Sequence, residues 1–141
     1  MGPDTVIHQL SSDWFFEKPA LEAILDDHEN GTLGKVILVG HSNGARDILV
    51  MARTFYNMKI PVHYAACLDM TRNPRGAQAY GNIEFLDEFH AKLKKVRFHD
   101  TFDKTDKTYG YHKVEADHIS MASEKSVQDR MFVKISQVMA A

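Results

Sequence analysis

The residues Gly40-His41-Ser42-Asn43-Gly44 have types and a spacing that could support nucleophilic catalysis. They match the pattern G-x-S-x-G, with Ser42 in the centre. Between a strand and a helix, such a turn holds the serine in a strained conformation with its hydroxyl above the sheet edge. A glycine on each side leaves room where a Cβ would strike the crowded turn. We therefore expect Ser42 to be a nucleophile; the alternative is a purely structural glycine-rich turn.

A serine hydroxyl becomes a good nucleophile only when a base removes its proton and an acid orients that base. The candidate base is His118, which precedes the last predicted helix in a loop that can fold back over the carboxyl ends of the strands. His112 is the alternative base. His41 adjoins the serine, and we expect it to pack or hydrogen-bond beside the site.

The preferred acid is Asp69, the first polar residue after the mostly apolar run 62–68. This position follows a predicted strand that we expect to neighbour the strand before Ser42. Asp100 and Asp103 follow the next predicted strand and remain alternative acids. Asp117, beside His118, is more consistent with a solvated loop residue.

Acyl transfer also requires an oxyanion hole, in which backbone N–H groups stabilise the negative charge of the intermediate. The residue after the nucleophile usually supplies one donor, and here that residue is Asn43. A loop after an earlier strand supplies the second, which predicts the N–H of Ser11 or of Leu10.

Hydrophobic periodicity and turn residues predict alternating strands and helices. Strands are expected at 5–10, 36–39, 62–68 and 96–98, with a further edge strand or extended loop at 111–114. Helices are expected at 14–28 (beginning near Pro19), from Ser42 to about Met58, at 83–93, and after an N-cap at Ser123 with Glu124 in the first turn. This order is typical of an α/β fold with a small, mostly parallel, doubly wound sheet in a three-layer αβα arrangement. Residues 1–141 are predicted to form a single domain.

Composition excludes several function classes. The formal net charge of −2 gives no electrostatic reason to expect nucleic acid or an anionic membrane as a partner. The single cysteine, Cys67, cannot form an intrachain disulfide, and no apolar run approaches the roughly 18 residues of a membrane span. With no signal peptide recognised, these features predict a cytoplasmic protein.

No metal-ligand pair or phosphate-binding glycine motif is present, so we expect no metal and no cofactor. If strand 5–10 is an exposed edge, pairing in a homodimer would protect it.

Four segments together resemble the second half of small α/β-hydrolases of the lipase and thioesterase kind: VILVGHSNGA, VHYAACLDM, LKKVRFHDTF and EADHISMA. The resemblance covers roughly residues 35–138. It implies that Ser42 is the nucleophile, Asp69 the acid and His118 the base, acting through an acyl-enzyme on a small-molecule ester or thioester. That family usually has several strands before the serine turn, whereas this chain has room for one. The alternative is therefore a reduced hydrolase-like domain that binds a ligand or protein partner with little or no turnover.

Overall fold

The structure, a computed structural model, describes residues 17–70, 81–92 and 109–141. In chain order the elements are α1 (Glu17–Glu29), β1 (Ile37–His41), α2 (Asn43–Asn57), β2 (Tyr64–Leu68), β3 (Leu86–Ala91), β4 (Tyr109–Val114), a short 3₁₀ helix (Met121–Ser123) and α3 (Lys125–Ala140). Strands and helices thus combine in a small α/β fold.

The four described strands form one parallel sheet in the order β1-β2-β3-β4, without a reversal of direction across the sheet. The register pairs His41 with Leu68, the last residues of β1 and β2. Because the strands are parallel, the residues that follow them emerge at the same sheet edge. Ser42 and Asp69 are therefore neighbours in space, as the sequence pattern predicted.

The predicted strand and helix on either side of Ser42 are confirmed, as β1 and α2. The predicted apolar stripe of α2 is buried along its whole length: Ala45, Ile48, Leu49, Ala52 and Phe55. Burying side chains such as Leu49 and Phe55 contributes roughly 1.5–3 kcal/mol each. This packing fixes the helix against β1 and β2 and so fixes the turn that carries Ser42.

Two hydrophobic clusters enclose the sheet. Ala65 and Cys67 of β2 belong to a cluster with α2, against which α1 packs, whereas the alternate residues of β2 belong to a cluster with Val127 of α3. Because neighbouring side chains along a strand point to opposite faces, α2 and α3 cover opposite faces of β2.

The helix predicted at 83–93 is wrong, because this segment contains strand β3. The spacing of Phe85, Leu86 and Phe89 fits a helix, but β3 is a central strand and is buried on both faces. Two of its buried residues are the carboxylates Asp87 and Glu88, at 0% exposure. Charged residues are rare in central strands, so the pattern concealed the strand.

The end of the chain differs slightly from the prediction. Residues 109–114 form β4, at the edge of the four described strands, so the strand alternative predicted for 111–114 is confirmed. Helix α3 is preceded by Glu124 at the N-cap position rather than by Ser123, which ends the 3₁₀ helix.

The predicted strands 5–10 and 96–98 lie outside the described residues. None of the described helices is long and apolar enough to cross a membrane.

Candidate active site

Ser42 occupies a strained turn between β1 and α2. Its φ of 61° and ψ of −121° lie where non-glycine residues are rarely found. The turn is held in place because the Ser42 N–H donates to the carbonyl oxygen of Leu68 at 2.9 Å. Strained backbone of this kind persists where the surrounding structure enforces it, and it is concentrated at functional sites.

Gly40 allows the chain to reverse closely enough for this turn to form. A Cβ at Gly40 would lie 2.2 Å from the carbonyl oxygen and 2.4 Å from the carbonyl carbon of Gly44. Both are backbone atoms, which cannot rotate away as a flexible side chain could. The first glycine of the G-x-S-x-G pattern is thus required by sterics.

We expect Gly40→Ala to lower the free energy of unfolding by about 3 kcal/mol, since an inserted methyl group must displace the turn. Urea denaturation followed by circular dichroism measures this change. Gly34→Ala is the matched control, because a Cβ there meets nothing within 4 Å. Equal stability of the two variants would show that the turn is not as tight as described.

His118 lies between Ser42 and Asp69 and connects them through both ring nitrogens. Its Nε2 is 3.0 Å from the Ser42 Oγ, and its Nδ1 is 2.5 Å from an Asp69 carboxylate oxygen. An ionised carboxylate can only accept a hydrogen bond, so Nδ1 carries the hydrogen and donates it to Asp69, and Nε2 can accept a hydrogen bond from the serine hydroxyl. The structure thus brings together the three residues that the sequence pattern had selected as nucleophile, acid and base.

Asp69 is positioned by the neighbouring strand β3. Its backbone N–H donates to the carbonyl oxygen of Phe89 at 2.7 Å, and its Oδ1 accepts from the N–H of Ala91 at 3.0 Å. Asp69 is fully buried, and its φ of 47° is also in the left-handed region. One carboxylate oxygen is therefore held by the sheet while the other faces His118.

The loop that carries His118 is organised by Asp117. The Asp117 carboxylate accepts from the backbone N–H and the hydroxyl of Ser120, both at 2.8 Å. The hydrogen bond from the Ser120 N–H is the main reason that the pKa of Asp117 is lowered. Asp117 thus shapes the loop, while Asp69 contacts the imidazole of His118.

The backbone N–H of Asn43, the predicted first oxyanion donor, belongs to the first residue of α2. The first N–H groups of a helix have no acceptor within the helix, and they carry the positive end of its dipole. This N–H therefore adjoins Ser42 at the positive end of the α2 dipole. The predicted second donor, Ser11 or Leu10, lies outside the described residues.

The alternative site residues are either remote or outside the described ranges. His112 Nε2 is 2.8 Å from a carboxylate oxygen of Asp87 within the sheet, so it is engaged away from Ser42. Asp100 and Asp103 lie outside the described residues. His90, which was expected in a helix, lies in β3, where its Nε2 is 2.7 Å from Glu88.

Asp87 is the centre of a second polar cluster, which the sequence pattern did not reveal. Its buried carboxylate accepts from the Tyr64 hydroxyl at 2.7 Å, from Arg130 Nε at 3.1 Å and from His112. A Cβ at Gly110 would lie 2.3 Å from Asp87 Oδ1, so the glycine makes room for the carboxylate. Burial raises the pKa of Asp87, but the hydrogen bonds from His112, Arg130 and Tyr64 outweigh it and leave the pKa below its ordinary value.

The lowered pKa predicts a pH-dependent effect of Asp87→Asn. Asp87 stabilises the fold when ionised, so its contribution is complete above the ordinary aspartate pKa of about 4 and is lost as the pH falls through its lower folded value. At pH 7 we expect the variant to be about 3 kcal/mol less stable, because buried donors lose their charged acceptor. Denaturant unfolding at pH 7 and at about pH 3 should show the difference shrinking on acidification.

The control for this measurement is Asp26→Asn, which changes an exposed carboxylate on α1. It should have an effect within about 0.5 kcal/mol at either pH. A stability difference between wild type and Asp87→Asn that stays constant or grows on acidification would contradict the assignment of Asp87 as the ionised centre of this cluster.

Across residues 17–70, 81–92 and 109–141, no group of three or more His, Cys, Asp and Glu side chains is arranged to hold a metal ion. Compared with models of protein families, with curated proteins and with solved structures, the chain shows no match. The function is therefore inferred from the residues of the site and their geometry alone.

Proposed function

We propose that the protein is a serine hydrolase that cleaves a small-molecule ester or thioester through an acyl-enzyme on Ser42. The observation that carries the proposal is the continuous chain of contacts from Ser42 Oγ through His118 to Asp69. These three residue types in this order of contact are the arrangement that activates serine in many unrelated hydrolases. The strained turn beneath Ser42 is further support, since it orients the hydroxyl toward the base.

The proposed reaction has two halves. In the first, His118 Nε2 accepts the Ser42 proton as Oγ attacks the carbonyl carbon, and Asp69 stabilises the resulting imidazolium. The N–H of Asn43 stabilises the oxyanion, and His118 then protonates the leaving alcohol or thiol. In the second half, His118 activates a water molecule that attacks the acyl group, and Ser42 regains its proton.

The alternative is a hydrolase-like domain that binds a ligand or partner without turnover. A distance from His118 to Ser42 that no loop movement could close would favour that alternative. The observed 3.0 Å is within hydrogen-bond reach and supports the enzyme instead.

We also propose the finer architecture of the family that the sequence resembles, a doubly wound three-layer αβα sheet. Support comes from α2 and α3, which cover opposite faces of β2. A doubly wound sheet also requires a reversal of strand order, and the order of the four described strands, β1-β2-β3-β4, contains none.

The substrate is proposed to carry an apolar group next to the scissile carbonyl. Ile119, immediately after His118, is 85% exposed, so an apolar side chain adjoins the base at the surface. Burying such a side chain against a ligand is favourable by roughly 25 cal/mol per Å² of apolar area. A series of p-nitrophenyl esters with increasing acyl length measures this preference.

The acyl-enzyme itself tests the proposal. We expect p-nitrophenyl acetate to release nitrophenol in an initial burst of about one equivalent per protein when deacylation is the slower step. Intact-protein mass spectrometry of the quenched reaction should show one added acetyl group, and peptide analysis should locate it on Ser42. Ester and thioester substrates that are hydrolysed no faster than in buffer would reject the proposal.

A further inference from the structure

His41 contacts the base in two ways that the proposed mechanism does not use. Its Nε2 is 2.6 Å from the backbone carbonyl oxygen of His118. Its ring also stacks on the His118 ring, with centroids 4.9 Å apart and planes inclined by 28°. One side chain therefore contacts both the backbone and the imidazole of the residue that must approach Ser42.

The His118 imidazole needs such support because it is not enclosed by the core. Its side chain is 31% exposed, and it extends from a loop between β4 and α3. Its hydrogen bonds to Asp69 and Ser42 both lie at the edge of the ring, so the ring can still tilt about the line that joins the two nitrogens. A contact on the ring face removes that freedom.

His41 is well placed to supply this contact because it belongs to the sheet. It is the last residue of β1, where it pairs with Leu68 of β2, and it immediately precedes Ser42. The same rigid strand end thus determines the positions of both the serine and the side chain that supports the base. Groups held on strands keep catalytic geometry more accurately than groups held on loops.

We infer that His41 is a positioning residue, which holds His118 in register with Ser42 by hydrogen-bonding its carbonyl and stacking on its ring. This inference rests on the proposed function. Because the acceptor is a carbonyl oxygen, His41 Nε2 must carry a hydrogen, and both the neutral Nε2–H form and the imidazolium provide it. The role therefore requires a donor and a flat ring, not a change of charge.

Two substitutions separate the two contacts. His41→Phe keeps an aromatic ring for stacking and removes the donor, whereas His41→Gln keeps an N–H donor and removes the ring. Misplacement of a catalytic group by about 1 Å can lower the rate up to roughly a hundredfold. We expect kcat to fall roughly tenfold to a hundredfold in His41→Ala, with partial recovery in His41→Gln and His41→Phe and with KM and Tm little changed.

The control is His28→Ala, which removes an exposed histidine from the end of α1 and should retain wild-type kcat. Wild-type kcat in His41→Ala would overturn the inference. So would a fall in kcat that merely follows a fall in Tm, because that pattern indicates a structural role alone.

A measurement without turnover distinguishes failure of this inference from failure of the proposed function. The Nδ1 proton of His118, held by Asp69, should give a resolved downfield resonance in the proton NMR spectrum of the wild type. We expect His41→Ala to broaden or abolish that resonance and His28→Ala to leave it in place. This result in a protein that hydrolyses no ester would support the positioning role while rejecting the hydrolase. If the wild type lacks the resonance, or if His41→Ala retains it unchanged, the positioning role is rejected.

Discussion

Ser42→Ala is expected to reduce ester hydrolysis by about 10⁴-fold or more, because the variant has no side-chain oxygen to which the acyl group can be transferred. The remaining rate would come from water attacking a substrate that is still bound and polarised by backbone donors. Steady-state kinetics with p-nitrophenyl esters measures the loss. KM should change little, since the hydroxyl acts on the reacting carbon rather than on the rest of the substrate.

The matched control is Ser126→Ala, which removes an exposed serine hydroxyl from α3. Its activity should equal that of the wild type. Tm should change little in Ser42→Ala, because the hydrogen bond that is lost, between Ser42 Oγ and His118 Nε2, is only partly buried. Ester hydrolysis by Ser42→Ala at the parent rate would show that another group performs the reaction.

Asp69→Asn is expected to lower kcat by roughly 10³- to 10⁴-fold, through the tautomer of His118. The asparagine carbonyl oxygen will accept from the N–H of Ala91, as Asp69 Oδ1 does now at 3.0 Å. Its NH₂ group then faces His118 Nδ1, which must accept rather than donate. The proton of the neutral ring moves to Nε2, and Nε2 can no longer accept the proton of Ser42.

Asp117→Asn is the control, because it changes a carboxylate adjacent to His118 that contacts Ser120 instead of the imidazole. We expect this variant to lose less than tenfold in kcat. Because Asp69→Asn is nearly isosteric, Tm measured beside the kinetics separates the tautomer effect from unfolding. Equal losses in the two variants would contradict the assignment of Asp69 as the partner of His118.

The parts of the site that follow from local pattern could be predicted from the sequence. The turn around Ser42 was predictable because its first glycine, Gly40, is required by sterics and because an apolar strand and a periodic helix flank the turn. The position of Asp69 was predictable because the first polar residue after a buried strand lies at the carboxyl edge of a parallel sheet.

The features that depend on long-range contacts outside the set of nucleophile, acid and base could not be predicted. The prediction missed β3 because Asp87 and Glu88 are carboxylates buried in a strand. Asp87 is paired with Tyr64 and Arg130, and Glu88 accepts from the Tyr109 hydroxyl, all on other elements. Arg130 lies 43 positions from Asp87 in the chain, so no local pattern connects them. The expectation that His41 packs or hydrogen-bonds beside the site is confirmed, but its partner, the carbonyl of His118, lies 77 positions away and was not identified by the local pattern.

The position of the second oxyanion donor is the remaining element of the proposed site. The prediction of Ser11 or Leu10 depends on a predicted strand and loop that fall outside the described residues. It follows from the general need for two donors at the oxyanion rather than from a distinctive motif. A covalent adduct on Ser42 would place an oxygen atom where both donors must converge.

A fluorophosphonate probe tests whether Ser42 is a nucleophile activated by His118. We expect the wild-type protein to gain one probe adduct, which peptide mass spectrometry locates on Ser42, and His118→Ala to react at least about a hundredfold more slowly. Absence of any adduct on Ser42, or equally fast labelling in His118→Ala, would contradict this assignment.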